Sequence, residues 1–417
     1  MDRNFAQQAA KERLAGLALI VSAGAALVAS NTPLAPLYHW LLDVKLGISL
    51  PHVGELTPHL VVNDGLMAVF FLLIGMEVKR EWYEGRLSTR EARSLPVLAA
   101  IAGMAVPALI YLAVIGGNPD LAHGWAVPTA TDIAFSIAVL AILGTHAPPA
   151  IKLLLIAIAI VDDVGAVVII ALAYTDSLDV VMLGVALGTM VAMATMNMLG
   201  VRRWTPYLLG FGALWYAVLQ SGLHATIAGV LAAVTIPLGP GEEKSTLEHL
   251  EHKIHPWVMF AIVPLFGFVS AGVSLNGGVQ RLLEPLALAV MLGLFLGKQV
   301  GVFAAIRIGS AAGICCRPEG ASWPQIYGAS ILCGIGFTMS LFVGGLAFTE
   351  VPARIDAVKI GILAGSLLSA IAGWTVLRIA SPIPFFDEDI DEAERIFGQK
   401  RRESALAQNP PQTRAGA

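Results

Sequence analysis

Ala150-Ile-Lys-Leu-Leu-Leu-Ile-Ala-Ile-Ala-Ile-Val-Asp-Asp-Val-Gly-Ala-Val-Val-Ile-Ile-Ala-Leu172 places two adjacent acids, Asp162 and Asp163, at the centre of an apolar run. The run is long enough to cross about 30 Å of hydrocarbon. The acids lie about 15 Å of helix from either end. A charged side chain at that depth costs about 2.5–3.5 kcal/mol even on the gentlest scale, so the pair is the first place to look for function. Two neighbouring carboxylates cannot both ionise cheaply in a dry interior. One or both must take up a proton or hold a cation. Adjacent helix positions point about 100° apart, so one acid can face a neighbouring helix and the other a water-filled cavity.

Similar apolar windows recur through nearly all of the 417 residues. They fall near 13–30, 58–80, 95–116, 121–143, 149–175, 180–200, 204–219, 222–237, 254–273, 285–308, 325–350 and 357–380, twelve spans in all. Hydrophobic residues make up 56% and charged residues 13%. Soluble domains carry about 25% charged residues, which excludes that class. Mean hydropathy is +0.74. The net charge of −4 matters less than where the basic residues fall. Lys79, Arg80, Arg86, Arg90 and Arg93 follow the second span, Arg202 and Arg203 the sixth, Lys244 and Lys253 the eighth, Arg307 and Arg317 the tenth. The opposite loops hold only Lys45, Arg281, Arg354 and Lys359, so both termini are expected in the cytoplasm. Lys11 and Arg13 before Leu14–Ser30 give the start a signal-peptide look, but with so many spans behind it an uncleaved first helix is expected. Residues 1–12 then form a cytoplasmic N-terminus, 13–384 the membrane domain and 385–417 a disordered cytoplasmic tail. Gly47, Pro51, Gly54 and Pro58 mark residues 43–58 as an external turn or hairpin. Cys315, Cys316 and Cys333 offer no disulfide framework and are expected as free thiols.

Two other spans are interrupted midway. The fourth carries Val127-Pro-Thr-Ala-Thr-Asp-Ile133, where Pro128 removes a backbone donor and Thr129, Thr131 and Asp132 can satisfy the groups set free. A true break suits Asp132, because a half-helix N-terminus offers it about half a unit of positive charge. The eleventh carries Cys333-Gly-Ile-Gly-Phe-Thr338, where Gly334 and Gly336 weaken the helix. Spans three to five and ten to twelve thus form two triplets with a broken middle helix, entering the membrane from opposite sides. The tenth span adds a buried cation, Lys298, one step from a smooth face of Gly293, Gly297 and Gly301. Its natural partners are an acid of the fifth span and the C-terminal ends of the broken half-helices. The fold expected is all-α and polytopic, with about twelve helices and inverted three-helix repeats whose interrupted members cross at mid-membrane.

With these residues on view the chain resembles the NhaA family of bacterial Na⁺/H⁺ antiporters. The similar passages are Asn63–Glu81, Pro128–Phe135, Ala159–Ala166, Ser221–Val230, His255–Val258 and Ile331–Ser340, in order along the chain. Paired broken helices in inverted repeats are themselves described for this family, so that pattern is no independent test of the resemblance. The resemblance implies that Asp162 and Asp163 form the ion and proton site, with Asp163 the main Na⁺ ligand and Lys298 paired to Asp162 when the ion is absent. It places Thr131 and Asp132 at the crossing, Asp132 offsetting half-helix N-termini and Lys298 the C-termini. It ties Glu77, Arg80, Glu81, Glu251, His252 and His255 to pH activation, and residues 43–58 to a homodimer. The loop 238–250 departs most from the family pattern.

A small hard cation such as Na⁺ or Li⁺ wants oxygen ligands, which two carboxylates, Thr131 and freed carbonyls supply. Protons compete for the same carboxylates, so exchange would be obligatory, electrogenic and suppressed at low pH. The expectation is therefore a transporter in the bacterial inner membrane, with no enzyme activity, no cofactor and no nucleic-acid partner. K⁺ as the exchanged ion is the alternative. An intramembrane aspartyl protease fits poorly, because its two acids stand on separate helices. A channel would want a ring or filter in place of a carboxylate pair.

Overall fold

The computed structural model describes residues 2–51, 54–144, 148–175, 178–239, 245–318, 320–348 and 351–381. The tail expected at 385–417 lies outside the described residues, as does part of the divergent loop, 240–244. What is described is a multi-pass membrane protein built of helices.

Among the described residues, eight helices are long and apolar enough to cross a membrane: Arg13–Ser30, Pro58–Tyr83, Arg90–Val114, Pro149–Ala173, Val180–Met198, Thr246–Ala271, Pro285–Ala311 and Pro352–Ala380. Two further spans are bent pairs, Pro119–Thr129 with Ile133–Leu143 at 46°, and Trp323–Leu332 with Phe337–Ala347 at 41°. These are the fourth and eleventh spans, the two expected to be broken. The seventh, Trp204–Gln220, has 17 residues, and the eighth, Ile227–Thr235, only 9. The eighth is shorter than its apolar window because residues 221–226 run as turns, with Gly222 at φ +85°. Only glycine holds that left-handed backbone without strain.

Side chains with good cap chemistry start several spans. Thr89 accepts from the Ala92 amide at 3.2 Å and opens the third. Asp179 accepts from Val181 and Met182 at the head of the sixth. Ser245 with Glu248, and Ser322 with Gln325, form reciprocal capping boxes at the ninth and eleventh. Among the described residues three spans carry a π turn: Val61–Leu66, Val258–Ile262 and Gly293–Gly297. The first half of the fourth span is also not α-helical throughout. After Pro119–Ala122 it tightens into a 3₁₀ stretch, His123–Thr129, that contains Pro128.

The hairpin expected at 43–58 has a short antiparallel core, Ser49 opposite Glu55 and Leu50 opposite Gly54. Lys45 and Glu55 form an ion pair across it. Beside it, Tyr38 of the short helix Ala35–Asp43 donates to the Phe268 carbonyl at 2.7 Å, near the end of the ninth span. Burial pushes this phenol up to about 12, so it remains a donor at any pH the protein meets.

The third span packs on the second half of the tenth and on the fifth, and the twelfth packs on both halves of the eleventh. The glycine face of the tenth span meets the third. A Cβ added to Gly297 would sit 2.9 Å from the Pro107 nitrogen, too close for any residue but glycine. The smooth face read from the sequence therefore lets two backbones touch, and it sets the tenth span against the third.

Candidate functional site

The breaks of the fourth and eleventh spans cross each other. Residues 130–132 run extended against Cys333–Gly336, and the contact is mostly backbone. The Asp132 amide donates to the Ile335 carbonyl at 2.6 Å, and the Thr131 hydroxyl to the Cys333 carbonyl at 2.9 Å. Ser136 donates to the Leu332 carbonyl at 3.2 Å. The carbonyls freed where the first half of the eleventh span ends are thus taken by the fourth. A Cβ on Gly336 would lie 2.7 Å from Leu294 Cδ2 and 3.0 Å from the Ala130 carbonyl. Gly336 itself has φ −95°, so what it supplies is room for the crossing and not an unusual backbone angle.

Asp132 joins the two second halves. One carboxylate oxygen caps Ile133–Leu143 by accepting from the Phe135 amide at 2.9 Å. The other accepts from the amide and hydroxyl of Thr338, at 2.9 and 2.5 Å, in the first turn of Phe337–Ala347. A single buried acid therefore faces two helix N-termini, where the unpaired amides and the aligned peptide dipoles both favour negative charge.

One helix away, Asp162 and Asp163 project from the middle of the fifth span and are 1% and 2% exposed. Asp162 Oδ2 pairs with Lys298 Nζ at 2.6 Å, with both side chains out of solvent. Lys298 makes this bond from the turn that follows Gly293–Gly297, and its stem passes Gly103 of the third span. The remaining oxygen of Asp162 and Oδ1 of Asp163 are buried without a hydrogen-bond partner. Asp163 lies within electrostatic reach of Asp162, Asp132, Glu77 and Lys298. Both acids are buried, so the structure holds the pair enclosed. Such an arrangement suits a small cation or a proton, each of which adds positive charge without bulk.

Of the residues tied to pH activation, four gather at one end of the second span. Arg80 Nε meets Glu251 Oε2 at 2.9 Å, and Arg80 Nη1 meets Glu81 Oε1 at 3.5 Å. Glu77 shares the field of Arg80, Glu81 and Glu251. Glu81 also accepts from the Arg86 amide at 2.8 Å. His252 and His255, on Thr246–Trp257 with Glu251, are exposed.

Several contributors are not evident from the sequence. Thr338 stood in a quoted motif, but only the crossing reveals that both its polar groups serve Asp132. Lys79 reads as a loop charge, yet the second span continues to Tyr83. Its ammonium donates to the Val234 carbonyl at 2.7 Å and to Ile236 at 2.5 Å, closing the end of the eighth span. Gln299, beside Lys298, is buried and bonded on both sides.

A sequence profile described as Na⁺/H⁺ antiporter 1 matches residues 6–377. The chain is 58% identical over 354 residues to the Na⁺/H⁺ antiporter NhaA of Rhizorhabdus wittichii, covering 84% of this chain and 92% of that one. It is 53% identical to Na⁺/H⁺ antiporter NhaA 1 of Novosphingobium aromaticivorans, covering 89% of each chain. A Na⁺/H⁺ antiporter NhaA of Pseudomonas entomophila is 51% identical, with 90% of this chain and 95% of that one aligned. These relatives are transporters and not enzymes. With a profile match across nearly its whole length and relatives above half identity, the chain belongs to the Na⁺/H⁺ antiporter 1 family.

Proposed function

We propose that the protein is a secondary active transporter that expels Na⁺, or Li⁺, from the bacterial cytoplasm in exchange for external H⁺. The observation that carries this reading is the enclosed acid pair with an unpartnered oxygen on each member and a lysine on one of them. Leaving such oxygens bare in a low-dielectric interior is costly, and a bound cation or proton removes the cost. Asp163, with no lysine of its own, is the main Na⁺ ligand. Asp162 gives up Lys298 to join it, and Thr131 and nearby carbonyls complete the oxygen set. Na⁺ and H⁺ compete for the same oxygens, and the site changes sides only when one or the other neutralises it. Two acids serve one monovalent cation, so more protons than sodium ions move per cycle and exchange is electrogenic. Asp132 compensates the half-helix N-termini at the crossing and so keeps the breaks stable in the membrane.

Activity rises with pH, because protonated carboxylates do not hold the ion. The cluster of Glu77, Arg80, Glu81 and Glu251, with His252 and His255 on the adjoining helix, sits at the cytoplasmic entrance and adjusts that response. The protein spans the inner membrane with both termini in the cytoplasm and forms a homodimer through 43–58. No cofactor takes part; Na⁺, Li⁺ and H⁺ are cargo.

The test is exchange in everted vesicles, monitored by a pH-sensitive dye after addition of Na⁺, Li⁺ or K⁺. The intact protein should respond to Na⁺ and Li⁺, and Asp163→Asn should abolish the response at normal expression. Exchange undiminished in Asp163→Asn would remove the acid from the site. A response to K⁺ equal to that for Na⁺ would favour a carrier for another monovalent cation.

A further inference from the structure

Lys298 owes its direction to an irregular turn. The tenth span is α-helical from Pro285 to Leu292, passes through the π turn Gly293–Gly297, and resumes as Lys298–Ala311. A π turn carries an extra residue. One extra residue rotates everything after it by about 100° around the helix axis. The presence of this turn therefore decides whether Lys298 faces Asp162 or another neighbour. Two glycines bound the turn, and glycine is the residue least able to hold a helix in one shape on its own.

What braces the turn is the side chain next to Lys298. Gln299 Nε2 donates to the Phe295 carbonyl at 2.7 Å, inside the π turn. Gln299 Oε1 accepts from the Tyr327 hydroxyl at 2.7 Å. Tyr327 belongs to Trp323–Leu332, the first half of the broken eleventh span, and its ring meets Phe303 edge-on at 5.2 Å. Gln299 is 5% exposed, so an amide there needs both partners. The contact links the brace of the turn to one of the two helices whose breaks form the crossing.

We infer that Gln299 and Tyr327 are positioning residues, which hold the π turn and through it keep the Lys298 ammonium on Asp162. The inference rests on the exchange reading, because the Lys298–Asp162 contact is what an arriving cation must displace. Loosening the brace weakens Lys298 as a competitor. Na⁺ then needs a lower concentration to win Asp162, and it wins at a lower pH. Neither residue touches the ion.

The test compares wild type with Gln299→Met, which keeps the bulk and loses both hydrogen bonds, and with Tyr327→Phe, which loses one. Each is reconstituted as the full chain, and Na⁺-driven proton movement is measured across Na⁺ concentration and pH. Losing hydrogen bonds of ordinary strength should lower the KM for Na⁺ roughly three- to tenfold in Gln299→Met, and less in Tyr327→Phe. The midpoint of the pH–activity curve should move to lower pH in the same order. Unchanged KM and midpoint, whatever the maximal rate, would reduce Gln299 to a packing residue, and a shift in the opposite direction would also overturn the inference. Tyr327→Phe keeps the question answerable if Gln299→Met does not fold. A wild-type protein that moves no protons on Na⁺ addition would instead sink the exchange reading, so the two failures look different.

Discussion

Lys298 and Asp162 are each almost wholly removed from solvent, and their contact is 2.6 Å. A pair like this adds little net stability over an apolar replacement, because both charges have left water. Removing one partner is another matter, since it strands the other. Lys298→Ala should cost about 3–5 kcal/mol, seen as a lower thermal midpoint of the detergent-solubilised protein. Asp162→Asn combined with Lys298→Met should recover most of that loss without recovering transport. A single variant as stable as wild type would mean that Asp162 finds another partner or is already neutral. Asp163 differs from its neighbour in forming no ion pair among the described residues, although the two are adjacent in sequence. That asymmetry follows from the helix turning about 100° between them. It is the physical ground for giving them different roles.

The broken helices show how much of the site the amino-acid order carries and where it stops. Asp132 is the joint between them, since it serves Phe135 on one half-helix and Thr338 on another. Losing an N-terminal cap costs about 0.5–2 kcal/mol, and here one side chain caps two helices. Asp132→Ala should therefore destabilise by more than a single cap, and Asp132→Asn, which still offers an acceptor, by clearly less. Equal thermal midpoints for the two variants would contradict that role. The breaks themselves are legible beforehand. Pro128 with flanking hydroxyls, and Gly334 with Gly336, are local signals that need no knowledge of neighbours. The lone charges in apolar runs are equally plain, because lipid makes them expensive wherever they sit. The π turns are not legible. Gly293–Gly297 reads as an ordinary glycine-rich face, and the Tyr327 hydroxyl that reaches Gln299 beside it lies 28 positions away. Nor does composition separate the 3₁₀ stretch His123–Thr129 from an α-helix, since both are apolar and of similar length. The short eighth span escapes for a similar reason. Its window is apolar throughout, but Gly222 takes a backbone angle that hydropathy does not register.

Across the whole molecule, charge and aromatic side chains mark one membrane face. Arg93 stacks on Trp82 at 4.1 Å, Lys253 on Trp204 at 4.1 Å and Arg307 on Trp323 at 4.4 Å. All three pairs lie at span ends that the positive-inside rule assigns to the cytoplasm, where amphipathic rings and basic groups belong. The cysteines provide a native reporter of that orientation. Cys316 is exposed on the loop after the tenth span, while Cys315 and Cys333 are buried. A membrane-impermeant maleimide should label Cys316 in everted vesicles and leave it unlabelled in intact cells until the membrane is opened. Labelling of intact cells would invert the topology. Under the proposed function the orientation also sets the direction of transport, because the acid pair would collect Na⁺ from the cytoplasm and release it outside.

If sodium and protons share one pair of carboxylates, binding either must expel the other. Calorimetric titration of the purified protein with Na⁺, repeated over a pH series and in buffers of different ionisation enthalpy, yields both the affinity and the protons released. The account predicts that Na⁺ binds more tightly as the pH rises and releases at least one proton per ion, and that Asp163→Asn loses both effects. Sodium binding of constant affinity across pH, with no proton released, would contradict it.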